Sequence, residues 1–269
     1  MTIIALSRGS FSYGREVALQ VAEKLNYQCI GRELILEAAK EFNIPEIRLE
    51  RSIHDAPSIL DRFTYGRERY IAYFESAFLR YMRRDNVVYH GLAGQFFLRQ
   101  VAHSLKIRII ADMEDRIRLE TEQNKVSAQS AHARLIRDDQ ERQKWSKALY
   151  GIDSNDAGLY DMVLHISKIG IPEAVKIICD ASRLQAFQTT YESQKLIDDL
   201  AVAAEVKAAL IDLKPDIQVS AENGKVEISF SQMRGQNSDL MDEIKNIAEK
   251  IAGGGKVAIK GGHWTDWEE

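Results

Sequence analysis

The sequence is poor in cysteine, with only Cys29 and Cys179 among its 269 residues, and it has no Cys-x-x-Cys pair. Neither a disulfide framework nor a zinc site is therefore indicated, and two buried free thiols in a reducing compartment are the simplest interpretation. No apolar run approaches the length of about 18 residues that a membrane span needs. The apolar start from Ile3 to Leu6 reaches Arg8 too soon for a signal peptide and predicts a first strand. We therefore expect a cytoplasmic protein.

An excess of charge of either sign is also missing. The chain has 36 basic and 40 acidic side chains, a formal net charge of -4 and a pI of about 5.9. Without a large basic field, nucleic acid is not an expected partner. Hydrophobic residues make up 45% of the chain, which is enough for a packed core and excludes disorder throughout. The length predicts one or two domains.

Metal-ligand and acyl-transfer motifs are absent as well. The six histidines have no His-Glu-x-x-His or other ligand spacing, and no Gly-x-Ser-x-Gly occurs. We assign none of these residues to a metal.

Short apolar runs alternate with helical periods up to Ser182. Strands are predicted at Ile3–Leu6, 87–90, 107–111 and 162–166. Helices are predicted at 16–25, 33–42, 66–84, from the turn at Gly91 to about Ser104, at 113–149 and from Pro172. Strands separated by helices predict an α/β fold with a parallel sheet and helices on both faces. We take residues 1–182 as this first domain.

The pattern changes after Ser182. Residues 183–195 are polar and predict a helical linker, and residues 196–260 follow the order α-β-β-α-β. Asn223-Gly224 between two apolar runs is a strong signal for a hairpin turn. The sequence thus predicts a small α+β domain at 196–260 and a tail at 261–269 that contains Trp264 and Trp267.

A glycine-bounded loop follows the first strand and opens a helix. It reads Gly9-Ser10-Phe11-Ser12-Tyr13-Gly14-Arg15-Glu16 and has the spacing of the phosphate-binding pattern G-x-x-x-x-G-K-[ST]. Backbone N–H groups and a helix N-terminus would favour phosphate there. Arg15 keeps the charge of the usual lysine, whereas Glu16 replaces the hydroxyl that binds Mg²⁺. An ordinary strand-to-helix turn is the alternative interpretation.

Arginines also concentrate on two predicted helices. Arg134, Arg137 and Arg142 could neutralise charge on a transferred phosphoryl group, or belong to a solvated helix with internal ion pairs. On the helix at 66–84, aromatic side chains alternate with arginines. They could stack a base, or form a core stripe with a basic outer face.

Several motifs together resemble the bacterial cytidylate kinase-like family. They are Ser7-Arg8-Gly9-Ser10, Gly14-Arg15-Glu16, Gly31-Arg32-Glu33-Leu34-Ile35, Ala133-Arg134-Leu135-Ile136 with Asp139 and Arg142, Leu149-Tyr150-Gly151 and Leu159-Tyr160-Asp161. The resemblance implies a P-loop nucleoside-monophosphate-kinase fold. It also implies transfer of a phosphoryl group from ATP, with Mg²⁺, to a pyrimidine monophosphate such as CMP. It places Arg32 at the monophosphate and the arginines at 134, 137 and 142 in the lid.

The sequence departs from that family at three positions. Gly31 stands where an acidic residue is common, Gly91-Leu92 where Gly-Arg is common, and His165 where Asn is common. These departures favour an alternative function, a catalytically degenerate nucleotide-binding regulatory protein. A purely structural α/β scaffold is the third hypothesis.

The C-terminal segment resembles a BON domain. The resemblance rests on Ile217-Gln218-Val219, on the run from Asn223 to Ile228, and on a helix that ends at Gly253-Gly254-Gly255. It implies a protein partner or effector for residues 196–260.

Overall fold

The structure is a computed structural model that describes residues 1–31, 66–230 and 238–261. Its larger sheet contains five parallel strands in the order β2-β3-β1-β4-β5. They are β1 (Ile3–Arg8), β2 (Gln28–Gly31), β3 (Val87–His90), β4 (Ser104–Ala111) and β5 (Met162–Ile166). The predicted parallel α/β sheet is confirmed.

Eight α-helices are described. They are α1 (Gly14–Leu25), α2 (Gly66–Met82), α3 (Gly94–Phe97), α4 (Met113–Asn124), α5 (Ala128–Tyr150), α6 (Ile171–Ala181), α7 (Tyr191–Leu210) and α8 (Ser238–Ile251). The predicted helical stretch at 113–149 is divided into α4 and α5, because Lys125 adopts a left-handed φ of 56° and ends α4. The Ser127 side chain then caps α5 by accepting a hydrogen bond from the Ser130 N–H.

Alternate residues of β1 enter two different cores, as the period of a strand requires. Ile3 and Ala5 pack in a cluster that also contains the aromatic residues of α2. Ile4 and Leu6 pack in a second cluster, which contains the apolar side chains of α1 and α6. The sheet therefore has helices on both faces, as the sequence predicts.

The sequence prediction missed β2 and overestimated α3. Strand β2 has only four residues, and among them only Ile30 is buried, so it gives no alternating apolar signal. Helix α3 covers just Gly94–Phe97, although the apolar run after Gly91 predicts a helix up to about Ser104. Residues 98–103 instead form turns that lead into β4.

The C-terminal residues form a second, three-stranded sheet. Its strands are β6 (Gln218–Glu222), β7 (Lys225–Phe230) and β8 (Val257–Gly261), with β7 antiparallel to β6 and parallel to β8. Asn223 and Gly224 both have positive φ, at 54° and 74°, as a tight hairpin turn requires. Their N–H groups donate to the carboxylate of Asp199 on α7, at 2.8 and 3.0 Å. The predicted hairpin and the small C-terminal sheet are therefore present.

One apolar core runs from the first sheet into this C-terminal unit. The cluster that holds Tyr70 and Phe74 of α2 also holds Ile197 of α7 and Ile228 of β7. Polar contacts fix the same junction, because Asp212 accepts a hydrogen bond from the Tyr73 hydroxyl at 3.0 Å and pairs with Arg69 at 2.6 Å. The units at 1–182 and 196–260 are thus in direct contact through α2 and α7.

Some sequence predictions lie outside the described residues. These are the helix at 33–42, Arg32 with its expected monophosphate contact, and the tryptophans of the tail. Among the helices that the structure describes, none is long and apolar enough to cross a membrane.

Candidate nucleotide site

The loop between β1 and α1 has the backbone of an anion-binding turn. Phe11 and Tyr13 adopt left-handed φ values of 52° and 61°, and α1 starts directly after Tyr13. The buried Ser12 side chain braces the loop, because its hydroxyl lies 3.0 Å from the carbonyl oxygen of Gly9. Turns that mix right- and left-handed residues direct successive N–H groups into one concavity, which suits phosphate.

Close packing requires glycine at Gly14. A Cβ atom there would lie 2.6 Å from Cδ of Arg8 and 2.7 Å from its Cβ. Both distances are below van der Waals contact, so the side chain of Arg8 crosses the start of α1 only because Gly14 has none.

The α4–α5 hairpin is fastened to this loop by Arg116. Its Nε donates to the carbonyl oxygen of Ser10 at 2.8 Å. Its two terminal nitrogens donate to both carboxylate oxygens of Asp139, at 2.7 and 2.9 Å. The Ser10 hydroxyl in turn lies 3.2 Å from the carboxylate of Asp138. Charged and neutral contacts therefore hold the hairpin against the loop.

A second ion pair lies deeper between the two helices. Nη1 of Arg134 is 3.3 Å from Oε1 of Glu120, whose side chain is fully buried. Loss of solvation raises the pKa of Glu120, and the nearby Asp138 raises it further, whereas Arg134 and Arg116 oppose both effects. Arg134 therefore pairs with a residue of the neighbouring helix rather than within its own helix, and its role as a lid residue stays a prediction.

A cavity of about 260 Å³ opens beside the loop. Its lining comes from β1, β4, α4, α5, the phosphate-type loop (residues 9–14), the segment after β3 and the turn before β5: Ser7, Arg8, Gly9, Ser12, Leu92, Arg108, Ile110, Ala111, Arg116, Asp139, Gln140, Arg142, Gln143, Ser154 and Asn155. Four arginines and only one carboxylate are among these residues. The cavity is therefore suited to an anionic ligand.

Arg108 lines the cavity from β4, and Tyr160, which precedes β5, supports its side chain. Arg108 donates to the Tyr160 hydroxyl at 3.3 Å and also to the Ser154 carbonyl and the Asn155 side chain. Its guanidinium carbon lies 5.7 Å from the centre of the Tyr160 ring. The Tyr160 hydroxyl is also 3.2 Å from Nε2 of the buried Gln95. This wall is polar and fixed by several bonds.

The structure brings together some of the predicted site residues and separates others. Gly9, Ser12 and Arg142 line the cavity. Arg15 and Glu16 lie in the first turn of α1 with exposed side chains, and neither lines the cavity. Arg137 is exposed on α5 and lies on a different face of the helix from Asp139 and Arg142.

Sequence reasoning did not select Arg108 or Arg116. An arginine inside an apolar strand is a recognisable signal for Arg108. Arg116 follows a strand by a few residues, like many residues of an α/β ligand site. Neither signal shows that the two side chains reach the same cavity.

The aromatic residues of α2 form a core stripe. Tyr70, Tyr73, Phe74 and Phe78 are buried, and they pack in stacked and edge-on pairs such as Tyr70 with Trp145. The interpretation of a core stripe is confirmed for these four aromatic residues.

Neither cysteine belongs to the site. Cys29 is half-buried and Cys179 is buried, and both are free thiols. Burial raises both pKa values, so the thiol form is favoured.

A site for Mg²⁺ held entirely by protein is not present among the described residues, which contain no group of three or more metal-binding side chains. Mg²⁺ that is bound with phosphates needs only one or two protein oxygens. The hydroxyl of Ser12 and the carboxylate of Asp139 border the same cavity, so the residues present fit an ion of this kind.

Most of this chain is similar to known proteins in sequence and fold. The cytidylate kinase of Pyrobaculum islandicum is 28% identical over 185 residues, which is 67% of this chain and 92% of that protein. The crystal structure of an uncharacterized protein from Eubacterium ventriosum aligns with a TM-score of 0.53 and 20% identity, over 67% of this chain and 97% of that one. The family model for the cytidylate kinase-like family matches residues 3–168. This chain belongs to the cytidylate kinase-like family.

Proposed function

We propose that the protein is a nucleotide kinase that moves the γ-phosphoryl group of ATP to a pyrimidine nucleoside monophosphate. One observation carries the proposal: a phosphate-type loop and four arginines line a single cavity. Phosphoryl transfer needs positioning and charge stabilisation more than a reactive side chain. The family membership supports nucleotide kinase activity, and the pyrimidine acceptor follows from the resemblance to cytidylate kinases.

The loop residues would bind the donor. The N–H groups from Gly9 to Gly14 and the start of α1 would hold its phosphates, and Arg116 would add charge next to Ser10. Bound Mg²⁺, held by Ser12 and Asp139, would offset the negative charge of the phosphates. Arg15 stays a predicted phosphate ligand at the start of α1.

The reaction itself exchanges one P–O bond for another. An oxygen of the acceptor's phosphate attacks the γ-phosphorus, and the bond from that phosphorus to the oxygen shared with the β-phosphate breaks. ADP leaves with the electron pair, and the acceptor becomes a diphosphate. Arg142 faces the cavity, where it would stabilise charge on the transferring oxygens. Arg134 and Arg137 stay predicted lid residues.

A coupled assay tests this function. Wild-type protein is mixed with ATP, Mg²⁺ and one of CMP, UMP, dCMP, AMP or GMP, and formation of ADP is measured. We expect turnover with CMP or UMP above the rate without acceptor. Turnover only with purine monophosphates would reject the pyrimidine assignment.

The second candidate is a regulatory protein that binds nucleotide without efficient transfer. Two observations favour it: Asp139 already neutralises Arg116, and the C-terminal unit shares a core with α2. A BON-like domain at 196–260 would then bind a protein or effector. Calorimetric binding of ATP without turnover of any monophosphate would favour this candidate.

A further inference from the structure

We propose that Arg108 binds the phosphate group of the acceptor nucleotide and thereby determines that the acceptor is a phosphorylated nucleoside. The inference rests on the proposed kinase function. It assigns a residue that lies outside the phosphate-type loop and outside the arginines of α5.

Arg108 occupies a fixed place next to the loop. It lies on β4 opposite Ser7 of β1 in the strand register, and its half-buried side chain lines the cavity. The following residue, Ile109, has its carbonyl oxygen 3.5 Å from the hydroxyl of Ser12. The guanidinium group therefore reaches the same cavity as the loop, but from the β4 wall.

The direct hydrogen-bond partners of Arg108 are uncharged, although the carboxylate of Asp153 interacts with it electrostatically. Its hydrogen-bond acceptors are the Ser154 carbonyl, the Asn155 side chain and the Tyr160 hydroxyl, all of which are neutral. Within the described residues, no carboxylate forms an ion pair with it. Arg116 differs, because Asp139 accepts two of its hydrogen bonds. A half-buried arginine without a direct ion-pair partner favours an anionic ligand.

Arg108 also keeps donors for that ligand. A guanidinium has five N–H groups, and the three hydrogen bonds use two at Nη1 and one at Nη2. The Nε–H and the second Nη2–H remain. The Nε–H and this second Nη2–H are thus available to phosphate oxygens, which a guanidinium can bind in pairs.

The surroundings hold the guanidinium in place. The Tyr160 hydroxyl lies 2.8 Å from the Ser154 carbonyl oxygen, and the Asn155 N–H donates to Asp153 at 2.9 Å. Gln143 of α5 donates to the same Asp153 carboxylate at 3.0 Å. A side chain that is already ordered loses little entropy when it binds a ligand.

The donor and the acceptor phosphates can be assigned to different walls. The loop and Arg116 form the wall suited to the polyphosphate of the donor. Arg108 belongs to the β4 wall of the same cavity, and Arg142 of α5 also lines it. An acceptor phosphate at Arg108 would therefore share the cavity with the donor, as in-line transfer requires.

The test compares Arg108→Met and Arg108→Lys in the full chain with a remote control. Arg183→Met is the control, because Arg183 is exposed, pairs with the exposed Asp180 and does not line the cavity. Calorimetry measures affinities for ADP, for the tightest-binding monophosphate of the five above and for its unphosphorylated nucleoside. Kinetics separates KM from kcat, and circular dichroism confirms folding.

We expect Arg108→Met to weaken monophosphate binding at least tenfold and to raise the acceptor KM by a similar factor. ADP affinity and nucleoside affinity should stay within about twofold. Arg108→Lys should recover part of the loss, because it restores the charge without the paired donors. Arg183→Met should match the wild type.

Other outcomes overturn the inference. Unchanged monophosphate affinity in folded Arg108→Met would reject the phosphate contact. An equal loss for ADP and monophosphate would show that Arg108 only shapes the cavity. Wild-type protein that binds ADP but no monophosphate would reject the acceptor site. Failure to bind any nucleotide would instead reject the proposed function itself.

Discussion

Arg116 and Asp139 form a bidentate ion pair next to Gly9, the first glycine of the phosphate-type loop. The carboxylate accepts a hydrogen bond from each terminal nitrogen of the arginine. A Cβ atom on Gly9 would lie 3.5 Å from Nη2 of Arg116 and 3.5 Å from Oδ1 of Asp139. The arginine side chain is 9% exposed and the carboxylate 38% exposed. A protein carboxylate thus lies where the site would favour a phosphate, and the two must compete for Arg116.

The competition predicts that Asp139→Asn binds ADP more tightly when Mg²⁺ is absent. Removing the carboxylate makes Arg116 available to the phosphates of ADP and removes the repulsion between Asp139 and those phosphates. Together these effects should strengthen ADP binding by about 1 kcal/mol, or roughly fivefold in Kd. Calorimetry in the presence of a chelator measures it. Asp180→Asn, a remote exposed change, serves as the control. Weaker binding by folded Asp139→Asn would contradict the competition.

Arg142 is expected to matter more for turnover than Arg137. Both belong to the predicted lid, but only Arg142 lines the cavity, whereas Arg137 is exposed. Arg142→Ala should lower kcat by about 10² to 10³ at little cost in ADP affinity. Arg137→Ala should lower kcat by a smaller factor. Steady-state kinetics compares the two, and equal losses would indicate that α5 rotates during the reaction.

Gly14→Ala is expected to disrupt the loop. The added methyl group would overlap the Arg8 side chain, and such overpacking costs about 1–3 kcal/mol. ADP binding should fall together with Tm. Gly151→Ala is a useful comparison, because its Cβ would meet no atom within 4 Å and only its φ of +67° is unfavourable. That variant should lose stability without losing ADP affinity.

Truncation tests the predicted division into domains at 1–182 and 196–260. A chain ending at Ser182 lacks α7, so the part of α2 that packs against Ile197 and Ala201 becomes exposed. Uncovering a few such side chains costs about 1.5–3 kcal/mol each, and we expect Tm to fall by at least about 10 °C. Thermal unfolding at the wild-type Tm would instead support two independent domains.

Glu227 is expected to titrate far below an ordinary glutamate. Hydrogen bonds from Lys260 at 2.7 Å and Lys225 at 2.9 Å lower its pKa to about 2. A lowered pKa in the folded state stabilises the fold above the ordinary value of 4.5, and this contribution disappears as pH falls from there towards 2. NMR titration measures the pKa. Lys260→Gln should raise it, because Lys260 reaches Glu227 only when β8 pairs with β7.

Local signals predicted much of the fold. The apolar runs at Ile3–Leu6 and Val87–His90 became strands because each is long enough to fill the interior of a parallel sheet. The Asn223-Gly224 turn was predictable because few residues tolerate two consecutive positive φ values. Strand β2 was missed because its pairing with β3 decides its structure, while its sequence has only one buried side chain.

The candidate site also combines features that local sequence predicts with features that depend on tertiary packing. The sequence by itself determined the phosphate-type loop, because the glycine spacing and the strand-to-helix position are local properties. Only the tertiary structure placed Arg108 and Arg116 at that loop and turned Arg137 away from it. Which face of a helix meets a distant strand depends on packing of the whole core, and no local pattern encodes that rotation. For the same reason, the partner of Arg116 lies 23 positions away at Asp139 on the next helix.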